Sequence, residues 1–400
     1  MPTKEYSPFT PGQPVPIEFF TGRVNEVNRL NSAVGEATSG RLRVVFLTGE
    51  RGIGKSSLAR FVRFVAERDH QALGLHVFLG GVTSLEEMVR RVLDRLIKES
   101  VGKAWQGKVE EFFGNHVRKV GLFGVDLEFG GSERDLSRMV HDFAPALRNL
   151  VDRVGGERRG ILLTLDDING LASSEPFANF LKSLVDEIAT SDTRLPLCLV
   201  LVGLEERRQA LIDKQHSLAR VFDVVEIRPW SEEEARSFFV NAFTKVNIKV
   251  EEDALIVLAR YAGGLPVLAQ EIGDAAFRLD EDGKIDFDEA IAGVFNAADI
   301  VGRKYLEPRV FEAIRSERYR AILRKMVAKQ FDVTFKRGDL RKDLSNEEAK
   351  VVDNFLRRMR TLGVVRPDTE RGPGAYRFDN RLHYLYFRLA TQRAPSGRHD

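Results

Sequence analysis

The stretch Gly49-Glu50-Arg51-Gly52-Ile53-Gly54-Lys55-Ser56 has the spacing Gly-x-x-x-x-Gly-Lys-Ser and directly follows the apolar run Val44-Val45-Phe46-Leu47-Thr48. Leu58, Phe61, Val62 and Val65 come next at helical spacing, so the pattern is strand, glycine-rich loop, helix. Few features restrict a fold more, because such a loop must join the end of a buried strand to the start of a helix. Each part has a phosphate-binding task. The glycines let backbone amides close around a polyphosphate at the helix start, Lys55 reaches the terminal phosphates, and the Ser56 hydroxyl ligates Mg2+. Gly49, Gly52, Ile53, Gly54, Lys55, Ser56 and Ser57 are therefore the expected binders of a nucleoside triphosphate.

At 400 residues the chain exceeds one ordinary domain, and 43% hydrophobic content is enough for a sizeable core. The single cysteine, Cys198, lies inside Leu197-Cys-Leu-Val-Leu-Val202 and is expected to be a buried, inert thiol. The N-terminus lacks a basic-then-apolar leader. No apolar run reaches the roughly 20 residues needed to span a bilayer, so a cytoplasmic location without membrane contact is expected. A net charge of +2 conceals an asymmetry: residues 301–400 carry 24 basic and 13 acidic side chains, a net +11, leaving −9 on residues 1–300. A basic end on an acidic body points to a polyanionic partner for that end alone.

Residues 1–18 are punctuated by proline and glycine and read as an extended lead. Strand candidates at 43–48, 74–79, 160–165, 196–202 and 223–227 then alternate with helices, which predicts an α/β domain over 19–230 built on a parallel sheet covered on both faces. The weakly alternating segment Val120–Phe129 reads as an inserted hairpin without assignable chemistry. Ser231-Glu-Glu-Glu234 is a capping box, opening a helical lid over 231–300. Over 301–395 the pattern is helix, helix, a capped helix 346–362, then strands 363–367 and 375–378, the layout of a winged helix.

Gly160-Ile-Leu-Leu-Thr-Leu-Asp166-Asp167 is an apolar strand ending in two carboxylates, the acidic half that a phosphate loop requires. Asp166 is expected to hold the Mg2+ shell and Asp167 to orient the attacking water. An aspartate that caps a following helix is the structural alternative.

These features together resemble the additional-strand P-loop ATPases. Phe20-Thr21-Gly22-Arg23-x-x-Glu26 is similar to the box that opens prokaryotic ATPases of the STAND class and related AAA+ proteins, and Gly263-Gly264-Leu265-Pro266 looks like the Gly-x-Pro signature of a STAND lid. The resemblance implies that strand 196–202 lies between the P-loop strand and the Asp166 strand. It also implies that adenine packs against the lead ending at Arg23, that Pro266 lies near the nucleotide, and that ADP and ATP favour closed and associating forms. Two departures stand out: strand 196–202 ends in Val202-Gly203-Leu204-Glu205 with no polar sensor, and Pro266 occupies the place where AAA+ lids often carry a sensor arginine. Slow hydrolysis is expected. Ser217-Leu-Ala-Arg220 is similar to a segment presenting an arginine finger to a neighbouring subunit; a solvated arginine before a strand is the alternative.

In the helix expected at 346–362, Val352, Phe355, Leu356 and Met359 form the apolar stripe, while Lys350, Asn354, Arg357 and Thr361 cluster opposite. Lys350, Asn354, Arg357 and Arg358, with Arg371 of the following turn, are the candidate contacts to double-stranded DNA. Lys336, Arg337, Arg341, Lys342 and Arg366 are further candidates for its phosphates. The reading is an ATP-driven switch that assembles as a homo-oligomer and engages DNA. The alternatives are a signalling or defence STAND ATPase whose winged helix contacts a protein encoded nearby, and a nucleotide-binding scaffold with little hydrolysis.

Overall fold

Five parallel strands, in the order β2 (Ala72–Phe78), β5 (Gly160–Asp166), β6 (Leu197–Val202), β1 (Arg43–Thr48) and β7 (Asp223–Glu226), organise residues 14–228. The computed structural model describes residues 6–114, 117–120, 126–154, 157–311, 313–328 and 333–393. The chain forms two compact units, Pro14–Arg228 and a second comprising the N-terminal residues through Gln13 with everything from Pro229 onward.

In the first unit, α1 (Val24–Thr38) precedes β1 (Arg43–Thr48), α2 (Lys55–Asp69), β2 (Ala72–Phe78), α3 (Leu85–Ser100) and α4 (Gln106–Phe113). Strands β3 (Val117–Val120) and β4 (Asp126–Phe129) pair antiparallel, as the inserted hairpin requires; its middle, 121–125, lies outside the described residues. Next come α5 (Glu133–His141), α6 (Phe143–Val154), β5 (Gly160–Asp166), α7 (Glu175–Thr190), β6 (Leu197–Val202), α8 (Glu205–Lys214) and β7 (Asp223–Glu226). Every residue of β5 and β6 is buried, which is why both read as uninterrupted apolar runs. β6 lies between β1 and β5, so the strand order implied by the resemblance is the one found. At this centre Cys198 is fully enclosed, and burial pushes its thiol up to about 12.

The second unit begins with α9 (Glu232–Thr244), held by the Ser231–Glu234 capping box, then β8 (Lys249–Val250), α10 (Glu252–Ala262), α11 (Pro266–Leu279), β9 (Lys284–Ile285) and α12 (Phe287–Val301). Phe9 of the N-terminal lead packs into this helical core, edge-on to Phe238 and Phe243. A wider π-type turn over Gly302–Phe311 leads to α13 (Glu317–Ala328), β10 (Thr334–Lys336), α14 (Arg337–Lys342), α15 (Asn346–Ala349), α16 (Val352–Thr361), β11 (Val365–Pro367), β12 (Ala375–Phe378) and α17 (Arg381–Arg393). The last three strands form an antiparallel sheet in the order β10-β12-β11 around a second apolar core.

The single helix expected at 346–362 is two. Glu348 closes the capping box with Ser345 and accepts from Lys325 Nζ at 2.6 Å, which ties α15 to α13. Val352, Phe355, Leu356 and Met359 seat α16 separately in the core, so the helix breaks at Lys350–Val351 between the two anchors. Strand β10 was not expected, because its pairing with β12 is made by three residues, too short a run for their alternation to register.

Candidate functional site

The glycine-rich loop hangs between Thr48 at the end of β1 and Lys55 at the start of α2. Gly49 has φ +150°, and a Cβ there would lie 2.7 Å from the Ile227 carbonyl oxygen, so no other residue fits. Gly54 caps α2 with φ 96°. Within this loop Lys55 Nζ donates to the carbonyls of Gly49 and Glu50, both at 2.8 Å. Burial pulls the Lys55 ammonium below its usual range, while Asp166, Asp167 and Glu206 oppose that shift and Arg51 adds to it. Loop and acidic strand therefore share one electrostatic site, with Glu206 from the first turn of α8 as a further carboxylate.

Asp166 ends β5, is 3% exposed and stands in register with Phe78 of β2 and Val202 of β6. Its Oδ2 is 2.9 Å from Nε2 of the buried His76. Asp167 is exposed, sits at φ 59° and accepts a hydrogen bond from Asn169 Nδ2. The Asn169 Oδ1 in turn accepts from the Leu204 amide at 3.4 Å, at the strand end where no polar residue was expected. The cap alternative for Asp166 fails on geometry, because its side chain bonds to a histidine of the neighbouring strand. Hard oxygen donors of this kind, a hydroxyl at Ser56 and a buried carboxylate at Asp166, fit a divalent cation such as Mg2+.

Other expected residues are engaged by the scaffold. Ser57 Oγ accepts from the Val15 amide at 3.2 Å and so fastens the lead to α2. Arg23 is 6% exposed and donates to the carbonyls of Arg228 and, at 3.3 Å, Ile53. Ile53 itself is fully buried. Arg220 is exposed at the end of a short helical turn and pairs with no carboxylate among the described residues. In the second unit, Pro266 is the first residue of α11, and Gly264 is required because a Cβ there would lie 2.5 Å from the Trp230 carbonyl oxygen.

On α16, Asn354, Arg357, Arg358 and Thr361 line an open groove of about 420 Å³ together with Tyr319 and Ala313. Arg357 and Arg358 pair with no carboxylate among the described residues. Lys350, placed off α16 by the break, pairs with Glu347 at 2.6 Å, and Arg371 lies 4.0 Å from Asp368. Arg337 and Lys342 are paired with Asp353 and Asp339, each at 2.8 Å, and Arg366 lies 4.0 Å from Asp379.

Sequence reasoning passed over His76, Asn169 and Glu206. Only His76 left a signal: a histidine within the apolar run Leu75-His76-Val77-Phe78 of a doubly covered sheet.

Residues 20–200 match the AAA ATPase domain family. No curated protein matches the sequence. Among solved structures, the ORC2 protein of Aeropyrum pernix, in its ADPNP–ADP complexes, is 14% identical with TM-score 0.58, over 97% of this chain and 95% of that one. The Walker-type ATPase of Pyrococcus abyssi is 19% identical with TM-score 0.53, over 92% of this chain and 96% of its own. The likeness to both is one of fold. Residues 20–200, which hold the phosphate loop and Asp166, thus carry an AAA ATPase domain.

Proposed function

We propose that this chain is a slow, Mg2+-dependent ATPase whose nucleotide state governs self-assembly and the engagement of duplex DNA through its C-terminal module, which we read as a winged helix following a helical lid. The observation that carries the DNA reading is the α16 groove, where Arg357 and Arg358 remain available beside Asn354 in the most basic part of the chain. Guanidinium groups without internal partners suit phosphates, and Asn and Arg both suit base edges.

On ATP binding, Lys55 exchanges the Gly49 and Glu50 carbonyls for the terminal phosphates. Ser56 and Asp166 would hold a magnesium ion, which when bound would supply charge neutralisation at the phosphate oxygens. Asp167 accepts the proton of the attacking water, and its hydrogen bond to Asn169 restrains it. Slow turnover is supported by the end of β6, where Val202 and Gly203 offer no side-chain donor to the γ-phosphate and the neighbouring Asn169 is engaged with Asp167 and the Leu204 amide. The proposal includes Pro266 near the base and Arg220 acting across a subunit boundary. It also assigns a cytoplasmic setting, and among the described residues no helix is long and apolar enough to cross a membrane.

The test is binding of a labelled duplex across a salt series. Arg357→Ala with Arg358→Ala should weaken binding about tenfold or more and flatten the salt dependence. Unchanged binding would overturn the DNA reading. It would favour the second one, a STAND-type signalling module that contacts a separate protein, for which the internal pairing of Arg337, Lys342 and Lys350 already speaks.

A further inference from the structure

We infer that His76 is a positioning residue for the nucleotide-bound metal, because it fixes the carboxylate of Asp166 from the neighbouring strand. The inference rests on the reading of Asp166 as the metal-side acid.

β2 is the edge strand next to β5, and the two run parallel with His76 opposite Thr164 and Phe78 opposite Asp166. Alternation along a strand puts residues 76 and 78 on one face of β2, the same face that carries 164 and 166 on β5. The imidazole therefore reaches diagonally, and its Nε2 comes 2.9 Å from Asp166 Oδ2. An ionised carboxylate only accepts, so Nε2 carries the hydrogen. Both residues are buried, at 5% and 3% exposure, so this bond is made where water cannot replace it.

Phe78 holds the ring in plane: the two rings stack at 4.6 Å and 22°. Phe78 is itself 53% exposed and lines, with Pro14, Ser56, His76 and the side chains of Arg60, Arg63 and Arg95, a cleft of about 280 Å³. Ser56 and His76 thus border one space from opposite elements, α2 and β2. With Oδ2 engaged by His76, Oδ1 is the oxygen left for the cation's water shell. A carboxylate without its histidine turns freely and presents neither oxygen reliably. Partners of this outer kind are worth about 10- to 100-fold in metal affinity where they have been removed.

The measurement is the affinity of the full chain for a fluorescent ATP analogue, taken in EDTA and in Mg2+, with Mn2+ binding followed by electron paramagnetic resonance. His76→Leu should cut the metal-dependent gain in affinity about tenfold and weaken Mn2+ binding in parallel, with affinity in EDTA unchanged. His76→Gln, which can place an amide donor where Nε2 lies, should stay within about threefold of wild type. If His76→Leu keeps the full metal-dependent gain, or if Gln fails as badly as Leu, the positioning role is overturned. An equal loss in EDTA would overturn it in favour of a packing role. Asp166→Asn separates the two ideas: should it also keep the gain, the metal reading of Asp166 falls, whereas loss there with no loss in His76→Leu defeats His76 alone.

Discussion

Arg23 adopts φ 62°, a left-handed conformation that disfavours residues with a Cβ, and is held there by what its guanidinium does. One arm donates to the Arg228 carbonyl beyond β7 and the other to Ile53 within the phosphate loop, so a single side chain braces the loop against the sheet. The strain is on the order of 1 kcal/mol, and charged hydrogen bonds to two carbonyls, that of Ile53 buried and that of Arg228 part-buried, outweigh it. Arg23→Ala keeps the strain and loses both donors, and should destabilise the nucleotide unit by about 2 kcal/mol. Arg23→Gly loses the donors but relieves the strain, and should fall between wild type and alanine. Urea midpoints in the opposite order would show that the brace is incidental. None of this was legible in the box Phe20-Thr21-Gly22-Arg23, which pointed to the right neighbourhood and to the nucleotide as Arg23's partner. An arginine that donates to carbonyls is indistinguishable in sequence from one that touches a ligand.

Strands β1 and β5 were readable because each is a buried apolar run that stops at a polar end, and the phosphate loop has its own spacing. His76, Asn169 and Glu206 were not, since His76 acts on Asp166, Asn169 on the Leu204 amide and Glu206 on Lys55, relations that exist only once the sheet is ordered. The same limit governed α15 and α16, where the expected apolar stripe is present but the anchoring of Glu348 on Lys325 divides the helix. In α17, the run Leu382, Tyr384, Leu385, Tyr386 and Phe387 is buried, as a packed terminal helix should be. His383 of that helix has its Nδ1 enclosed with no hydrogen-bond partner among the described residues, and burial lowers its pKa to about 4. The unfolded chain titrates near 6.5 and so takes up the proton first. Stability is therefore complete above about 6.5, declines as pH falls, and levels off below about 4. Between pH 7 and pH 5 the C-terminal unit should lose about 2 kcal/mol in urea denaturation, and His383→Leu should remove that part of the slope. An unchanged slope would place the acid sensitivity elsewhere.

For the molecule as a whole, residues 1–300 are acidic and residues 301–400 basic, and the nucleotide switch proposed above requires that occupancy and turnover be separable. In the proposed reading the site provides for that separation: Lys55 and the loop amides would serve occupancy, whereas Asp167, exposed and outside the buried Asp166–His76 pair, would serve the attacking water. Lys55→Ala should bind ATP weakly and stay in its nucleotide-free oligomeric state at every ATP concentration that assembles wild type. Asp167→Asn should bind ATP about as wild type does, within roughly threefold, but turn it over at least about a hundredfold more slowly. Wild type given a limited amount of ATP should then assemble and revert as ADP accumulates, while Asp167→Asn should assemble and remain so. Size-exclusion profiles taken over the time course decide the matter, with phosphate release measured on the same samples. If wild type elutes identically with ATP, with ADP and without nucleotide, assembly is not what the phosphate loop controls. If Asp167→Asn assembles and reverts at the wild-type rate, reversal does not depend on hydrolysis, and the Asp167 carboxylate has no part in the switch.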